Sequence, residues 1–167
     1  MPYRNKTYVA FDADSDIRYY RLMTAWKQSD HTDFNFYNAH DLTNIWQHSS
    51  EDSIKRSLRE RLINTKIFVL LVGEKTKFLY RFVKWEIEQA QKMDLPIIVV
   101  NLNGKRGIDY DNCPLILKNY LALHVSFNAK IIQKSLQDWE PLYRKYNSEN
   151  KISAFHYNED VYKSLGL

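Results

Sequence analysis

The sequence predicts an α/β fold in which helices cover both faces of a parallel β-sheet. Short apolar segments alternate with segments of helical periodicity, and the central apolar run, Ile67–Val72, contains no polar residue. A strand that is buried on both faces reads as a continuous apolar run, whereas a strand with one solvated face alternates. The chain has 167 residues, of which 44% are hydrophobic, which suits one domain with a full-sized core.

Five strands are predicted in chain order, and each is followed by a helical or polar segment. The strands fall at residues 7–11, 34–37, 67–72, 96–102 and 121–127, and the last helix at residues 130–146. Strand–helix units in series with right-handed crossovers give a flavodoxin-like three-layer sandwich with a five-stranded sheet of order 2-1-3-4-5. We expect residues 1–147 to form this domain. Residues 148–167 are polar and lack periodicity, so we expect a loosely docked tail packed on the domain or extending from it.

Composition narrows the function classes. The 24 basic and 20 acidic residues give a net charge of +4 and are mostly interleaved, which does not indicate a nucleic-acid partner. No apolar run approaches membrane-spanning length, so no membrane partner is expected. Cys113 is the single cysteine, which excludes an internal disulfide and fits a reducing cytoplasm.

Motifs for resident cofactors and metals are missing. With four glycines, the chain has neither the G-x-G-x-x-G fingerprint of dinucleotide-binding folds nor a P-loop. The five histidines have no metal-ligand spacing, and a surface or buried structural role is favoured for each. We expect no cofactor and no metal.

The helix after the third strand carries one carboxylate beside its apolar stripe. Val83, Ile87 and Ala90 recur at helical spacing and should face the sheet, with Glu86 among them. Glu88, by contrast, can pair with lysines on the solvent side. Two interpretations of Glu86 remain open. It is either an edge glutamate paired with a neighbouring cation, or a carboxylate in a cleft at the carboxyl edge of the sheet, where open α/β folds bind ligands.

An acidic cluster, Asp12, Asp14 and Asp16, follows the first strand. Haloacid-dehalogenase-type phosphatases and response-regulator receiver domains also begin with acidic residues here. The former need a later acidic pair where this chain reads VVNLNGK, and the latter need an aspartate at the end of the third strand, which here reads LLVGE. Helix capping and interaction with the helix dipole are the favoured roles of Asp14 and Asp16.

The segment GEKTKFLYRFVKWEIEQA, residues 73–90, resembles the third strand-to-helix segment of TIR domains. It is most similar to the bacterial TIR-like branch that includes the ThsB proteins of the Thoeris antiphage system. The matching features are Gly73, Thr76 and the aromatic-Val-x-aromatic-Glu-Ile pattern of residues 82–87. The opening YVAFDADSD is similar to the start of the same domains, so the likeness extends over residues 7–146.

This resemblance implies an NAD-cleaving enzyme of the NAD nucleosidase or ADP-ribosyl cyclase type, with Glu86 as its catalytic residue and NAD as a substrate. It further implies that the product is a cyclic ADP-ribose isomer, a diffusible signal that reaches a downstream effector in antiphage defence. Self-association on activation is part of the same expectation. The alternative is a non-catalytic TIR-like module for protein–protein interaction, in which Glu86 is structural.

Three residues near the ends of the first and third strands are further candidates for the NAD site. Phe11 and Asp12 could line the ribose and nicotinamide pocket, although for Asp12 capping of the first helix is the alternative. Thr76 could donate a hydrogen bond to a ribose or phosphate oxygen.

Arg81 and Trp46 are the remaining candidates. Arg81 could pair with the pyrophosphate, although a solvated side chain is favoured for an arginine at such a position. Trp46 could stack on a base or on a neighbouring protomer, and a buried core position is the alternative. We also expect Trp85 to pack under the adjacent loop and to raise the pKa of Glu86 by desolvation.

Overall fold

The computed structural model describes residues 7–28, 36–37, 50–79 and 81–167. The strands in these ranges are β1 Thr7–Ala10, β2 Phe36–Tyr37, β3 Ile67–Val72, β4 Ile97–Asn101, β5 Leu123–Ser126 and β6 Phe155–His156. They form one sheet of order β2-β1-β3-β4-β5-β6, and each neighbouring pair is parallel. The predicted order 2-1-3-4-5 is confirmed, and a short sixth strand extends the sheet beyond β5.

Helices pack on both faces of this sheet. The helices in the described ranges are α1 Ile17–Gln28, α2 Glu51–Ile63, α3 Val83–Lys92, α4 Ala129–Ser148 and α5 Glu159–Ser164. On one face α1 and α4 bury Met23 and Trp139, and on the other α2 and α3 bury Leu58 and Ile87. The three-layer arrangement predicted from the sequence is therefore confirmed.

The central strand β3 explains why the sequence reads as one apolar run there. Val69 and Leu71 belong to the hydrophobic cluster under α1 and α4, whereas Phe68 and Leu70 belong to the cluster under α2 and α3. Because successive side chains of a strand point to opposite faces, both sets must be apolar when both faces are covered. This strand fixes where the following loop and helix begin.

Residues 148–167 are integrated into the core, so the expectation of a loosely docked tail is wrong. Strand β6 pairs with β5, and Phe155 stacks on Trp139 with 5.8 Å between ring centroids. Tyr162 of α5 is fully buried, and its hydroxyl accepts a hydrogen bond from the Ser126 backbone N–H at 3.2 Å. A two-residue strand and a six-residue helix are too short to produce a periodic signal in a polar stretch.

Two negative findings concern the described ranges. None of their helices combines the length and the apolar character that crossing a bilayer requires. Nor do their residues bring together three or more His, Cys, Asp or Glu side chains in a way that could hold a metal ion.

Candidate active site

Glu86 lies in the first turn of α3, the helix that follows β3 in the chain. A short 3-10 turn, Thr76–Phe78, connects the two, and Val83 and Ile87 then fix one side of α3 against the sheet. Glu86 lies one turn from Val83 and next to Ile87, so the helix carries its carboxylate inward, and the residue is only 7% exposed. The glutamate is therefore buried on the side of α3 that faces the sheet.

Tyr8 of β1 is the hydrogen-bond partner of this carboxylate. Its hydroxyl donates to Oε2 of Glu86, and its ring stacks on Phe68 of β3 with 5.5 Å between centroids. Tyr8 is fully buried, and a buried tyrosine hydroxyl normally needs a polar partner. Sequence reasoning missed Tyr8, although it is the one aromatic residue with a polar tip in the short strand TYVA.

Burial gives Glu86 an unusual protonation equilibrium. Loss of hydration raises the pKa of Glu86 from its ordinary 4.5 to about 7, and the hydrogen bond from Tyr8 opposes this shift. Burial, followed by the neighbouring Glu86 charge, raises the pKa of Tyr8 well above its usual value, so Tyr8 is a donor at neutral pH. Within the described ranges no cation forms an ion pair with Glu86, so the ion-paired interpretation does not hold there.

Phe11 and Asp12 support the start of α1. The ring of Phe11 is half-buried and stacks on Tyr20 with 4.7 Å between centroids. The Asp12 carboxylate accepts hydrogen bonds from the backbone N–H groups of Asp14 and Ser15 at 3.1 and 3.3 Å. These contacts account for the placement of both side chains, and their contact with NAD stays a prediction.

Thr76 and Arg81 each interact with a residue other than Glu86. The buried Thr76 hydroxyl oxygen accepts a hydrogen bond from the Gly73 backbone N–H at 2.9 Å and so closes the turn after β3. Arg81 is exposed and forms a 3.0 Å ion pair with Glu51 at the start of α2. Trp46 lies outside the residues that the structure describes.

Trp85 packs against α2. Its ring lies under the cationic groups of Lys55 and Arg59, at 5.5 and 5.6 Å from the ring centroid. Such cation–π contacts tie α3 to α2, and the ring also packs against the apolar cluster under these two helices. The predicted effect of Trp85 on the pKa of Glu86 stays a prediction.

A cleft of about 480 Å³ opens at the carboxyl edge of the sheet, where β1, β3 and β4 end. Asp16, Gly73 and Asn103 are among its lining residues, and all three lie in or next to the loops where an open α/β fold binds ligands. Glu86 is not among the residues that line this cleft. The carboxylate of Glu86 belongs to the layer of α2 and α3, whereas the cleft is bordered by α1.

The parallel sheet of order β2-β1-β3-β4-β5 with helices on both faces is consistent with the flavodoxin-like fold of a TIR-like domain. The family described as Thoeris protein ThsB, TIR-like domain, matches residues 8–107, and the chain belongs to this family. The matched range includes both Tyr8 and Glu86. A comparison with curated proteins yields no match.

Proposed function

We propose that the protein cleaves the bond between nicotinamide and ribose in NAD and forms a cyclic ADP-ribose isomer that serves as an antiphage signal. The observation that carries this proposal is the buried carboxylate of Glu86, which lies in the first turn of the helix after β3, in the family-matched part of the chain, and accepts a hydrogen bond from Tyr8.

A carboxylate suits this reaction because of the charge that develops on the sugar. When the bond breaks, its electron pair goes to the nicotinamide nitrogen, and an oxocarbenium-like ribose remains, which a nearby carboxylate stabilises. Nicotinamide leaves as a neutral molecule because it is cationic in NAD, so the step needs no separate general acid. In a buried site the electrostatic stabilisation by Glu86 is stronger than it would be in water.

The second step determines the product. If a hydroxyl or the adenine of the same molecule attacks the ribose carbon and loses a proton, a cyclic ADP-ribose isomer forms, whereas attack by water gives linear ADP-ribose. We propose the cyclic product because the chain belongs to the ThsB TIR-like family. In this proposal the product diffuses to a downstream effector, the protein self-associates on activation, and a reducing cytoplasm suits its single buried cysteine, Cys113.

A non-catalytic interaction module is the second candidate, and exposed apolar residues favour it. Phe78 and Leu115 are 60% and 81% exposed, and they lie in two short 3-10 turns that follow β3 and β4. Apolar surface of this kind is common at protein–protein interfaces.

Nicotinamide release from NAD, measured by chromatography, tests the proposal. We expect Glu86→Gln, which keeps the size of the side chain and removes its charge, to lower the rate by at least about 100-fold. Glu88→Gln is the matched control, because Glu88 lies on the partly exposed side of the same helix and pairs with Lys84. Both variants should be compared in cells under phage challenge as well as in purified form.

The outcomes separate the two candidates. Nicotinamide release that depends on Glu86 and not on Glu88 supports the enzyme. If Glu86→Gln retains wild-type nicotinamide release, or if phage-challenged cells consume no NAD while the protein still protects them, the enzymatic proposal is wrong and the interaction module is favoured.

A further inference from the structure

A second hollow, which we call the α3 groove, differs in chemistry from the cleft at the carboxyl edge. That cleft is bordered by carboxylates, and Asp16 lies so close to Gly73 there that a Cβ atom on the glycine would be 2.4 Å from Oδ2. The α3 groove lies between α3, with the turn Thr76–Phe78 before it, and the 3-10 turn Leu115–Leu117. No carboxylate is among the described residues that line it.

The floor of the α3 groove is apolar. Val83 and Ile87 of α3 are buried, and Leu79 and Ile116 are partly buried against the hydrophobic cluster under α2 and α3. Leu115 also lines the groove and is 81% exposed, so a large aliphatic side chain lies in solvent at its edge. An apolar group that displaces water from such a surface gains free energy of binding.

Hydrogen bonds and core packing hold the walls of the groove in place. The side-chain amide of Gln91 in α3 donates to the backbone carbonyl of Ile116 at 3.2 Å. The amine of Lys77 donates to the backbone carbonyl of Asp111, in the loop that leads to the second turn. Leu117 is fully buried and anchors that turn in the core. The groove is therefore largely pre-formed, which lowers the conformational cost of binding.

Two lysines give the rim of the groove its charge. Lys77 and Lys84 both line it, and Lys77 forms no ion pair with any described residue. Lys84 pairs with Glu88 at 3.9 Å, and a long, partly exposed pair of this kind contributes little free energy. The electrostatic complement of this rim is an anionic group next to an apolar one.

The size of the groove limits its occupant. Its volume is about 120 Å³, which suits one or two aliphatic side chains and is well below the roughly 300 Å³ at which small-molecule sites begin. A peptide can place an aliphatic side chain in the hollow while its carboxylates stay beside the lysines in solvent. A second copy of this chain is a poorer complement, because the chain carries a net charge of +4.

We propose that the α3 groove is a docking site for a short segment of another protein in which leucine, isoleucine or methionine is flanked by aspartate or glutamate. The aliphatic side chain packs on Ile87 beside Leu115, and the carboxylates pair with Lys77 and Lys84. Glu86 does not line the groove, so the docking site goes beyond NAD cleavage and does not depend on it.

Selection from a yeast-displayed library of random peptides, with the labelled full chain as target, tests this site. The selected peptides should be enriched in leucine, isoleucine or methionine next to aspartate or glutamate, and they should bind with a Kd below about 100 μM in fluorescence anisotropy. Raising the salt concentration from about 0.05 M to about 0.5 M should weaken binding at least roughly threefold, because salt screens the lysine–carboxylate attraction.

Two rim residues provide the test variants. Leu115→Ser and Lys77→Glu should each weaken binding of the selected peptides at least roughly tenfold. Ile152→Ser and Lys92→Glu are the matched controls, because both residues are exposed and neither lines the groove, and they should leave the affinity unchanged. Glu86→Gln should bind the same peptides as the wild type does, so failure of the docking site and failure of the NAD-cleaving proposal are distinguishable.

Three results would overturn the proposal. The first is a selection that enriches no acidic–aliphatic peptides, and the second is an affinity that Leu115→Ser leaves unchanged. The third is a Leu115-dependent interaction with a different occupant in the absence of selected peptides. Co-sedimentation with phosphatidylserine vesicles would then assign the groove to a membrane surface, and self-association in analytical ultracentrifugation would assign it to a second copy of the chain.

Discussion

At the scale of single residues, burial and the hydrogen bond from Tyr8 together set the charge of Glu86. Two opposing effects act on this carboxylate: burial raises its pKa to about 7, and the Tyr8 hydroxyl limits the rise by stabilising the charged form. At neutral pH the group therefore lies near the midpoint of its titration, where a modest change in its surroundings alters its average charge most.

Tyr8→Phe should shift the acidic limb of the pH–rate profile for nicotinamide release to higher pH. The substitution removes the hydrogen bond that favours the carboxylate, so the pKa of Glu86 should rise by roughly one unit. The pH dependence of kcat/KM measures the shift. Tyr110→Phe removes a hydroxyl from an exposed loop residue and should leave the limb in place. An unchanged limb in Tyr8→Phe would show that Tyr8 does not set the protonation of Glu86 during the reaction.

Sequence reasoning identified Glu86 as a candidate residue but did not identify its partner, Tyr8. The reason for this difference is physical. A carboxylate next to Val83 and Ile87 interrupts the apolar stripe of a helix, and this interruption can be recognised from neighbouring residues in the sequence. Tyr8 lies 78 residues away along the chain, and its contact depends on the packing of β1 under α3. The carboxylate of Asp16 is a similar case, because one of its oxygens has no hydrogen-bond partner among the described residues, which is a property of the folded loop, whereas in the sequence Asp16 looks like a helix-capping residue.

At the scale of elements, helical periodicity and apolar runs were sufficient to predict most of the strand and helix boundaries. The predicted third strand agrees with β3 at both ends, and the predicted last helix differs from α4 by one residue at its start and two at its end. The C-terminal elements were missed because β6 and α5 are short and depend on long-range contacts. Their stability comes from the groove beside β5 and α4 into which Phe155 and Tyr162 pack.

Tyr162→Ala should lower the free energy of unfolding by about 3 kcal/mol or more, since it removes a fully buried aromatic ring and leaves a cavity beside β5. Urea denaturation followed by circular dichroism measures the change. Lys163→Ala, on the exposed side of the same helix, should change the stability by less than about 0.5 kcal/mol. Similar stabilities for the two variants would mean that α5 contributes little to the folded core.

At the scale of the whole molecule, two buried ionisable groups make opposite contributions to stability as the pH falls. Burial lowers the pKa of His124 in β5 from 6.5 to about 4, with a smaller effect of His156, so the unfolded chain binds more protons between these values and acid destabilises the fold. The pKa of Glu86 is raised from 4.5 to about 7, so in that window the folded protein binds more protons and acid stabilises it.

Glu86→Gln should therefore make the protein more sensitive to acid. The variant loses the stabilising protonation of Glu86 and keeps the destabilising protonation of His124. When the pH is lowered from about 8 to about 5, its free energy of unfolding should fall by roughly 2–3 kcal/mol relative to the wild type. Urea denaturation at a series of pH values gives this difference, and Glu88→Gln controls for the loss of one negative charge. Parallel curves for Glu86→Gln and the wild type would contradict a raised pKa in the folded state.

The contact between Asp16 and the end of β3 has a consequence for how this sequence can diverge. With aspartate at position 16, any residue larger than glycine at position 73 collides with the carboxylate. Replacement of glycine therefore requires the aspartate side chain 57 positions upstream either to move or to be replaced, so the choice of residue at one position depends on the other.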